Sequence, residues 1–429
     1  MTAMPPTGTR TRARRAARSA RRLRSVAVVT SALLVALTAT GCSTGAPAAP
    51  SGPVAITAEP NGGPFDELDI RVTGLAPGSE VVLRATTTLD NLPYRSAAAF
   101  TVGDDGTIDL ARDLPTDGAW TAPDPMAPFF TLGGRSDHFG VAAAYEPHDV
   151  ELAVETASGD RLASTSVSRA VLGDEVEVSA VEALDFPTAF AVPTDFDPAT
   201  PRPALLVLGG SEGGVVGATA VAIGFARLGY PALAVGLFKG AGQPELLAEV
   251  PLEPAVAGIE WLRTQPGIDP ERVTAFGASR GGEVAVWLAA TFPELVDGAI
   301  DAVGASEIHC SVPLGDRPAW TYGGTPLPCT NNAERPEFGS LIDLAAIDGP
   351  LVLACGTADR VWDSCALQAR TVKRAEKAGI EVSSVTGEGA SHTFTYPTDG
   401  PAVADAEAGA DGIARRAFWA AVVEALGAV

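Results

Sequence analysis

Imidazole is in short supply, with four histidines in 429 residues, so a reaction that needs a general base near neutral pH has few places to run from. Cysteine is scarce too. Five occur, none as Cys-x-x-Cys, and no His-rich tract accompanies them, so a metal centre has no recognisable ligand set and neither metal nor cofactor is expected. Basic residues number 30 against 52 acidic ones, and a surface so acidic repels nucleic acid and anionic headgroups, which excludes nucleic-acid binding. Also missing is an apolar stretch of the roughly 20 residues that span a bilayer comfortably.

What is present begins with a leader. Arg10, Arg12, Arg14, Arg15, Arg18, Arg21, Arg22 and Arg24 precede an acid-free apolar run over 26–40. That is a positive n-region followed by an h-region. The run closes on Ala39-Thr40-Gly41-Cys42, so residues 1–42 read as a lipoprotein-type signal with Cys42 as the acylated first residue, attaching an exported chain to the membrane. Simple cleavage or an uncleaved anchor are the alternatives; Arg21-Arg22 fits a twin-arginine signal poorly. Residues 43–53 have the uncharged Ser/Thr/Gly/Ala/Pro composition of a flexible tether. Removing the leader takes away eight of the 30 basic residues and none of the acidic ones, which moves the formal charge from −22 to −30. Four cysteines remain after Cys42. In an oxidising compartment they are expected to pair, preferably Cys310 with Cys329 and Cys355 with Cys365, each closing a short loop; four buried free thiols are the other reading.

Over 54–172 the apolar residues alternate in short runs, as in Asp69-Ile70-Arg71-Val72-Thr73 and Glu80-Val81-Val82-Leu83-Arg84, divided by Gly, Pro and Asp turns. Period two at this spacing predicts a β-sandwich, immunoglobulin-like in topology but with no cysteine for an immunoglobulin disulfide. Over 173–429 the pattern becomes strand, helix, strand, helix. Eight strands are expected at 176–181, 188–193, 204–208, 232–237, 273–278, 299–303, 351–354 and 381–385, with helices at 254–264, 282–291, 366–378 and 413–426. The later strands are apolar at nearly every position, as buried parallel strands are. The fold class is therefore α/β: an α/β-hydrolase fold with an eight-stranded, mostly parallel sheet, preceded by the sandwich. Its site should lie at the carboxyl ends of the strands. Residues 307–348, irregular in composition, read as a cap inserted over it.

Gly277-Ala278-Ser279-Arg280-Gly281 fits the nucleophile elbow, a tight strand-to-helix turn that presents a serine above the sheet. With 46 glycines in the chain the five-residue pattern is weak alone, and Gly209-Gly210-Ser211-Glu212-Gly213 also satisfies it. Context separates the two. Ser279 follows an apolar strand and precedes a helical stretch, whereas Ser211 enters the glycine-rich 209–217, where this fold carries its oxyanion loop. Ser279 is thus the candidate nucleophile, and the backbone N–H groups of Arg280 and of Gly210 or Ser211 the candidate oxyanion donors. A serine needs a base to take its proton. His138 and His148 lie in the sandwich and His309 in the cap, which leaves His392, after the last strand. The acid must fall between serine and histidine in chain order; Asp359, at the end of a buried strand, is the choice, with Asp363 as fallback.

Together these strings resemble the acyl-CoA thioesterase and bile acid-CoA:amino acid N-acyltransferase family. In the sandwich the likeness rests on Val72-Thr73-Gly74-Leu75-Ala76-Pro77-Gly78, Val82-Leu83-Arg84-Ala85 and Asp124-Pro125-Met126. In the second domain it rests on Gly209-Gly210-Ser211-Glu212-Gly213-Gly214, Phe225-Ala226-Arg227-Leu228-Gly229-Tyr230, Gly277-Ala278-Ser279-Arg280-Gly281-Gly282-Glu283, Asp359-Arg360-Val361-Trp362-Asp363-Ser364 and Gly389-Ala390-Ser391-His392. The resemblance implies an immunoglobulin-like domain before a dienelactone-hydrolase-like one, and its triad maps onto Ser279, Asp359 and His392. Family members carry Ser or Cys as nucleophile, and Ser279 resembles the hydrolysing kind. The expected function is hydrolysis of an acyl ester or thioester. The rivals are a non-catalytic binding lipoprotein on the same fold and acyl transfer to an amino acid.

Overall fold

The computed structural model describes residues 52–60, 68–89, 91–133, 148–169, 175–313, 315–332, 336–397 and 410–427. The leader, Cys42, most of the tether, His138 and the 172/173 boundary lie outside the described residues. In the amino-terminal part, strands Ala55–Pro60, Leu68–Thr73 and Ile108–Asp109 form one antiparallel sheet. Strands Asp117–Gly118, Leu92–Thr101, Glu80–Leu89, His148–Thr156 and Arg161–Arg169 form a second, in that spatial order. Alternation along Glu80–Leu89 buries every second residue. Ile70, Val72, Leu83, Phe100, Val150 and Leu152, drawn from both sheets, close into one core. One turn of helix, Ala127–Phe130, interrupts the otherwise all-β pattern.

The larger sheet has eight strands: β1 (Val176–Ser179), β2 (Thr188–Pro193), β3 (Arg202–Leu208), β4 (Ala232–Val235), β5 (Ile268–Ala278), β6 (Gly298–Ala302), β7 (Leu351–Gly356) and β8 (Val382–Gly387). Their spatial order is β8-β7-β6-β5-β3-β4-β2-β1. Pairing is antiparallel at β1/β2 and β2/β4 and parallel from β4 through β3, β5, β6 and β7 to β8. This is the α/β-hydrolase arrangement. Because successive strand side chains point to opposite faces, Ala204, Leu206 and Leu208 of β3 enter one core while Leu205 and Val207 enter the other. Helices α2 (Glu253–Arg263) and α3 (Arg280–Thr291) cover the first face. Helices α1 (Val216–Arg227) and α5 (Ala410–Leu426) cover the second, and α4 (Ser364–Ala378) connects β7 to β8. Fully burying each such Leu, Val or Phe contributes about 1.5–3 kcal/mol.

Helix α1 is the main departure from the sequence expectation, which had no helix directly after 209–217. Its buried residues run Ala220, Val221, Ala222, Ile223, Gly224, Phe225, Ala226 without a polar interruption, so it carries no amphipathic stripe to read. Between β6 and β7, in the stretch read as a cap, lies a short strand pair, Trp320–Tyr322 with Thr325–Pro326, which continues onto Val250–Pro251. From α5, Arg416 reaches Asp124 of the amino-terminal part, Nη1 lying 2.9 Å from Oδ1. No helix among the described residues is long and apolar enough to cross a membrane.

Candidate active site

β5 is buried from Ala275 to Ala278 and stops at Ser279, whose backbone adopts φ 54° and ψ −118° before α3 begins at Arg280. That left-handed turn is held by Ser279 N–H donating to Ala302 O at 2.8 Å and Gly282 N–H donating to Ser279 O at 2.9 Å. Close approach explains two flanking glycines. A Cβ on Gly277 would stand 1.9 Å from Gly281 O, and one on Gly281 would stand 2.4 Å from Gly209 O.

The ends of β7 and β8 bring the other two candidates together. His392 Nδ1 lies 2.7 Å from Asp359 Oδ2, with the Asp359 side chain 1 % exposed and that of His392 13 %. Asp359 Oδ1 accepts from Val361 N–H at 2.9 Å and Trp362 N–H at 3.3 Å. Burial alone would push the Asp359 carboxyl up. The His392 ring, the Ser364 hydroxyl and the loop N–H groups outweigh it and hold the acid below its ordinary value. With Nδ1 on the carboxylate, Nε2 is the ring nitrogen left to face a nucleophile. No hydrogen bond joins Ser279 Oγ to this ring among the described residues. Asp363, the fallback acid, serves instead as N-cap of α4, accepting from Ala366 N–H at 3.0 Å.

Neighbouring groups fix the two loops. Gly389 N–H donates to Thr357 Oγ1 at 2.7 Å and Ala358 N–H to Ala390 O at 3.0 Å, tying the acid loop to the histidine loop. Asp411 of α5, 2 % exposed, accepts from both the N–H (2.6 Å) and the hydroxyl (2.7 Å) of Ser391. Sequence reasoning passed Asp411 over, since nothing local marks it. Disulfides join Cys310 to Cys329 and Cys355 to Cys365, and the second brackets Asp359.

One of the candidate oxyanion donors is already engaged. The 209–217 turn does stand against the candidate nucleophile: a Cβ on Gly210 would lie 3.1 Å from Ser279 Cβ. But Gly210 N–H donates to Glu212 Oε1 at 2.9 Å, because the glutamate side chain folds back over its own turn into space that Gly209, Gly210 and Gly217 leave open. Gly210 is thus engaged in this structure, and Ser211 and Arg280 are the remaining candidate donors. Arg280 N–H is among the first of α3, which have no intrahelical acceptor. The Arg280 side chain turns away into the cap, donating to His309 O at 2.6 Å and Cys310 O at 3.0 Å. Among the described residues no cluster of His, Cys, Asp or Glu has a metal-binding arrangement.

Comparison with known proteins matches two families in succession. Residues 66–183 match "Acyl-CoA thioester hydrolase/BAAT N-terminal region" and residues 241–408 match "Prolyl oligopeptidase family". The chain is 25 % identical over 339 residues to the mitochondrial acyl-coenzyme A thioesterase 2 of Rattus norvegicus, covering 74 % of this chain and 73 % of the relative. It is 27 % identical over 261 residues to acyl-coenzyme A thioesterase 1 of Mus musculus, covering 56 % of this chain and 59 % of that one. Among solved structures, Thermogutta terrifontis esterase 2 phosphoramylated by tabun aligns at 19 % identity and TM-score 0.41 over 58 % of this chain and 95 % of its own. A dienelactone hydrolase-like promiscuous phosphotriesterase, P91, from metagenomic libraries aligns at 16 % identity and TM-score 0.41 over 59 % and 98 %.

Proposed function

From this resemblance to the acyl-CoA thioesterase and bile acid-CoA:amino acid N-acyltransferase family, we propose that the chain is a serine hydrolase of acyl esters or thioesters, acting through a Ser279 acyl-enzyme. The observation that carries the reading is the 2.7 Å bond from His392 Nδ1 to Asp359, at the same rim of the sheet as the left-handed turn of Ser279. In the proposed reaction His392 Nε2 takes the hydroxyl proton as Ser279 Oγ attacks the carbonyl carbon. The Ser211 and Arg280 N–H groups hold the oxyanion, and the leaving thiolate or alkoxide departs with the proton from His392. Water then repeats the sequence and releases the acid. Asp359 stays ionised throughout, fixing the tautomer and balancing the imidazolium.

Labelling with a fluorophosphonate tests the assignment. Wild type is expected to label on Ser279 and to turn over p-nitrophenyl esters and thioesters, and Ser279→Ala to do neither. A wild type that never labels favours a binding protein, and amide product on adding glycine or taurine favours acyl transfer. Full activity in Ser279→Ala removes the nucleophile assignment. We extend the proposal to location: the sequence of residues 1–42 supports an exported chain held to the membrane by acylated Cys42. Metabolic incorporation of a fatty-acid probe that survives Cys42→Ala would rule this out.

A further inference from the structure

Among the described residues, Val303 is the β-branched one that adopts a left-handed backbone, at φ 56°, and it does so buried to 1 % exposure where the chain leaves β6. Two substituents on its Cβ make this conformation costly, so the surroundings must impose it. The ladder shows how. Val303 N–H still donates to Ala354 O of β7 at 3.0 Å. In a parallel ladder the next bond would run from Gly356 N–H back to Val303 O. Here Val303 O accepts instead from the indole Nε1 of Trp362 at 2.8 Å, and Gly356 N–H donates to the Ser364 hydroxyl at 3.3 Å. Both ends of the displaced bond are thus taken by the loop that follows Asp359.

Trp362 connects that loop to both halves of the Asp359–His392 pair. Its backbone N–H donates to Asp359 Oδ1 at 3.3 Å, and its ring meets the ring of His392 at 6.1 Å and 75°. That spacing and angle belong to an edge-to-face aromatic contact. The indole also packs on the ring of His309 at 5.1 Å, and Glu283 holds that ring through Nδ1 at 2.8 Å. Trp362 is therefore anchored at its nitrogen and packed against a second ring that is itself held. His392 has less to fix it, since its ring hydrogen bond among the described residues is the one to Asp359. A ring tethered at one atom can still tilt, and tilting moves Nε2.

We propose that Trp362 is a positioning residue for His392: its indole, locked by the Val303 carbonyl, limits the tilt of the imidazole so that Nε2 stays directed at Ser279 Oγ through the proton transfers. The inference rests on the hydrolase reading and deepens it, because it gives the strained Val303 turn the task of fixing the base. Misplacing a catalytic group by about 1 Å can cost about a hundredfold in rate, so loss of the indole should lower kcat and spare KM. The variants are Trp362→Leu, which removes the ring, and Trp362→Phe, which keeps a ring that cannot bond Val303 O. Two readouts are taken: steady-state hydrolysis of p-nitrophenyl butanoate, and the second-order rate at which a small fluorophosphonate labels Ser279. The labelling rate depends on the base and needs no acyl pocket.

Trp362→Leu is expected to lose about a hundredfold in both kcat and labelling rate, and Trp362→Phe about tenfold, with KM within about threefold of wild type in each. Labelling of Trp362→Leu at the wild-type rate overturns the proposal. A raised KM with unchanged kcat also overturns it, since the indole would then be a wall of the substrate site. So does a lowered urea midpoint with kcat and labelling unchanged, which would make the indole packing alone. Should Trp362→Leu not fold, Trp362→Phe decides by its labelling rate: slower labelling supports, the wild-type rate refutes. Wild type failing to label on Ser279 defeats the hydrolase reading and this inference together, whereas wild type and variants labelling alike defeats the inference alone.

Discussion

Ser279→Gly should make the protein more stable while abolishing activity, and the size of the gain follows from one backbone angle. Ser279 holds φ 54°, a region in which an L-residue's Cβ crowds its own backbone at a cost of about 1–2 kcal/mol. Its Oγ forms no hydrogen bond with a described residue, so little is lost with the side chain. Glycine removes the crowding but adds roughly 0.5–1 kcal/mol of unfolded-state entropy. The net gain is about 1 kcal/mol, or roughly 0.3 M in a urea midpoint at the slope expected for a domain of this size. Ser279→Ala is the control, because it keeps the Cβ and therefore the strain and loses only the hydroxyl. Equilibrium unfolding followed by tryptophan emission reports mainly on the right part of the molecule, since Trp261, Trp287, Trp320 and Trp419 pack in the large sheet's two cores and only Trp120 of the six lies in the amino-terminal core. The expected order is Gly above Ala, with Ala close to wild type. If the glycine variant unfolds at or below the urea concentration of the alanine variant, the turn is not strained and the argument is wrong.

Asp359→Asn should reduce kcat by about 10⁴-fold with KM little changed, because an amide can hold His392 in the wrong tautomer; a loss under tenfold in steady-state kinetics would contradict the assigned role. The same acid links stability to pH. Its carboxyl is depressed from 3.8 in the folded state, so its stabilisation is fully present above that value and disappears as pH falls through the lower folded one. Thermal midpoints of wild type and Asp359→Asn should accordingly differ at neutral pH and converge in acid, and a constant gap would sink the linkage. The Cys355–Cys365 bridge closes a separation of 10 residues around Asp359. Its removal by Cys355→Ser with Cys365→Ser should cost about 2.5 kcal/mol in urea unfolding and lower kcat, since the loop that carries the acid is released. Unchanged kcat would mean that the backbone bonds from Gly389 and Ala358 hold the loop without it.

Much of the fold is legible in the sequence because burial on both sides of a parallel sheet leaves a strong mark. β7 has no polar side chain from Leu351 to Ala354, and β5 ends in an apolar run that turns at once into a glycine-rich helix start. Chain order then assigns stations to serine, acid and histidine, and scarcity of histidine narrows the last one. Helix α1 is hidden by the same burial, since a helix apolar on nearly every side shows no 3.6-residue period. The engagement of Gly210 is hidden for a different reason. Whether its N–H is free depends on the Glu212 side chain folding back over three glycines, a choice made by packing and not by spacing. Asp411 and Glu283 are invisible as positioning groups because their partners lie 20 and 26 residues away, at Ser391 and His309.

The first turn of α3 joins two requirements that are separate in the sequence. The elbow needs small residues on both sides of Ser279, and Gly282 and Gly304 leave a space in which the Asp301 carboxyl sits 2.0 Å from where either Cβ would be. Burial, followed by the nearby Glu283 carboxyl, pushes Asp301 well above its ordinary value. Arg280 pairs with Glu283 through Nε at 2.9 Å and uses its other nitrogens beyond the helix. Its guanidinium holds the His309 and Cys310 carbonyls, and Cys310 is in turn bonded to Cys329. Lifting this part of the cap would break two charge-assisted hydrogen bonds and uncover Glu283, which is 0 % exposed. The segment that carries His309 and Cys310 is therefore fixed to the turn of Ser279 at this point.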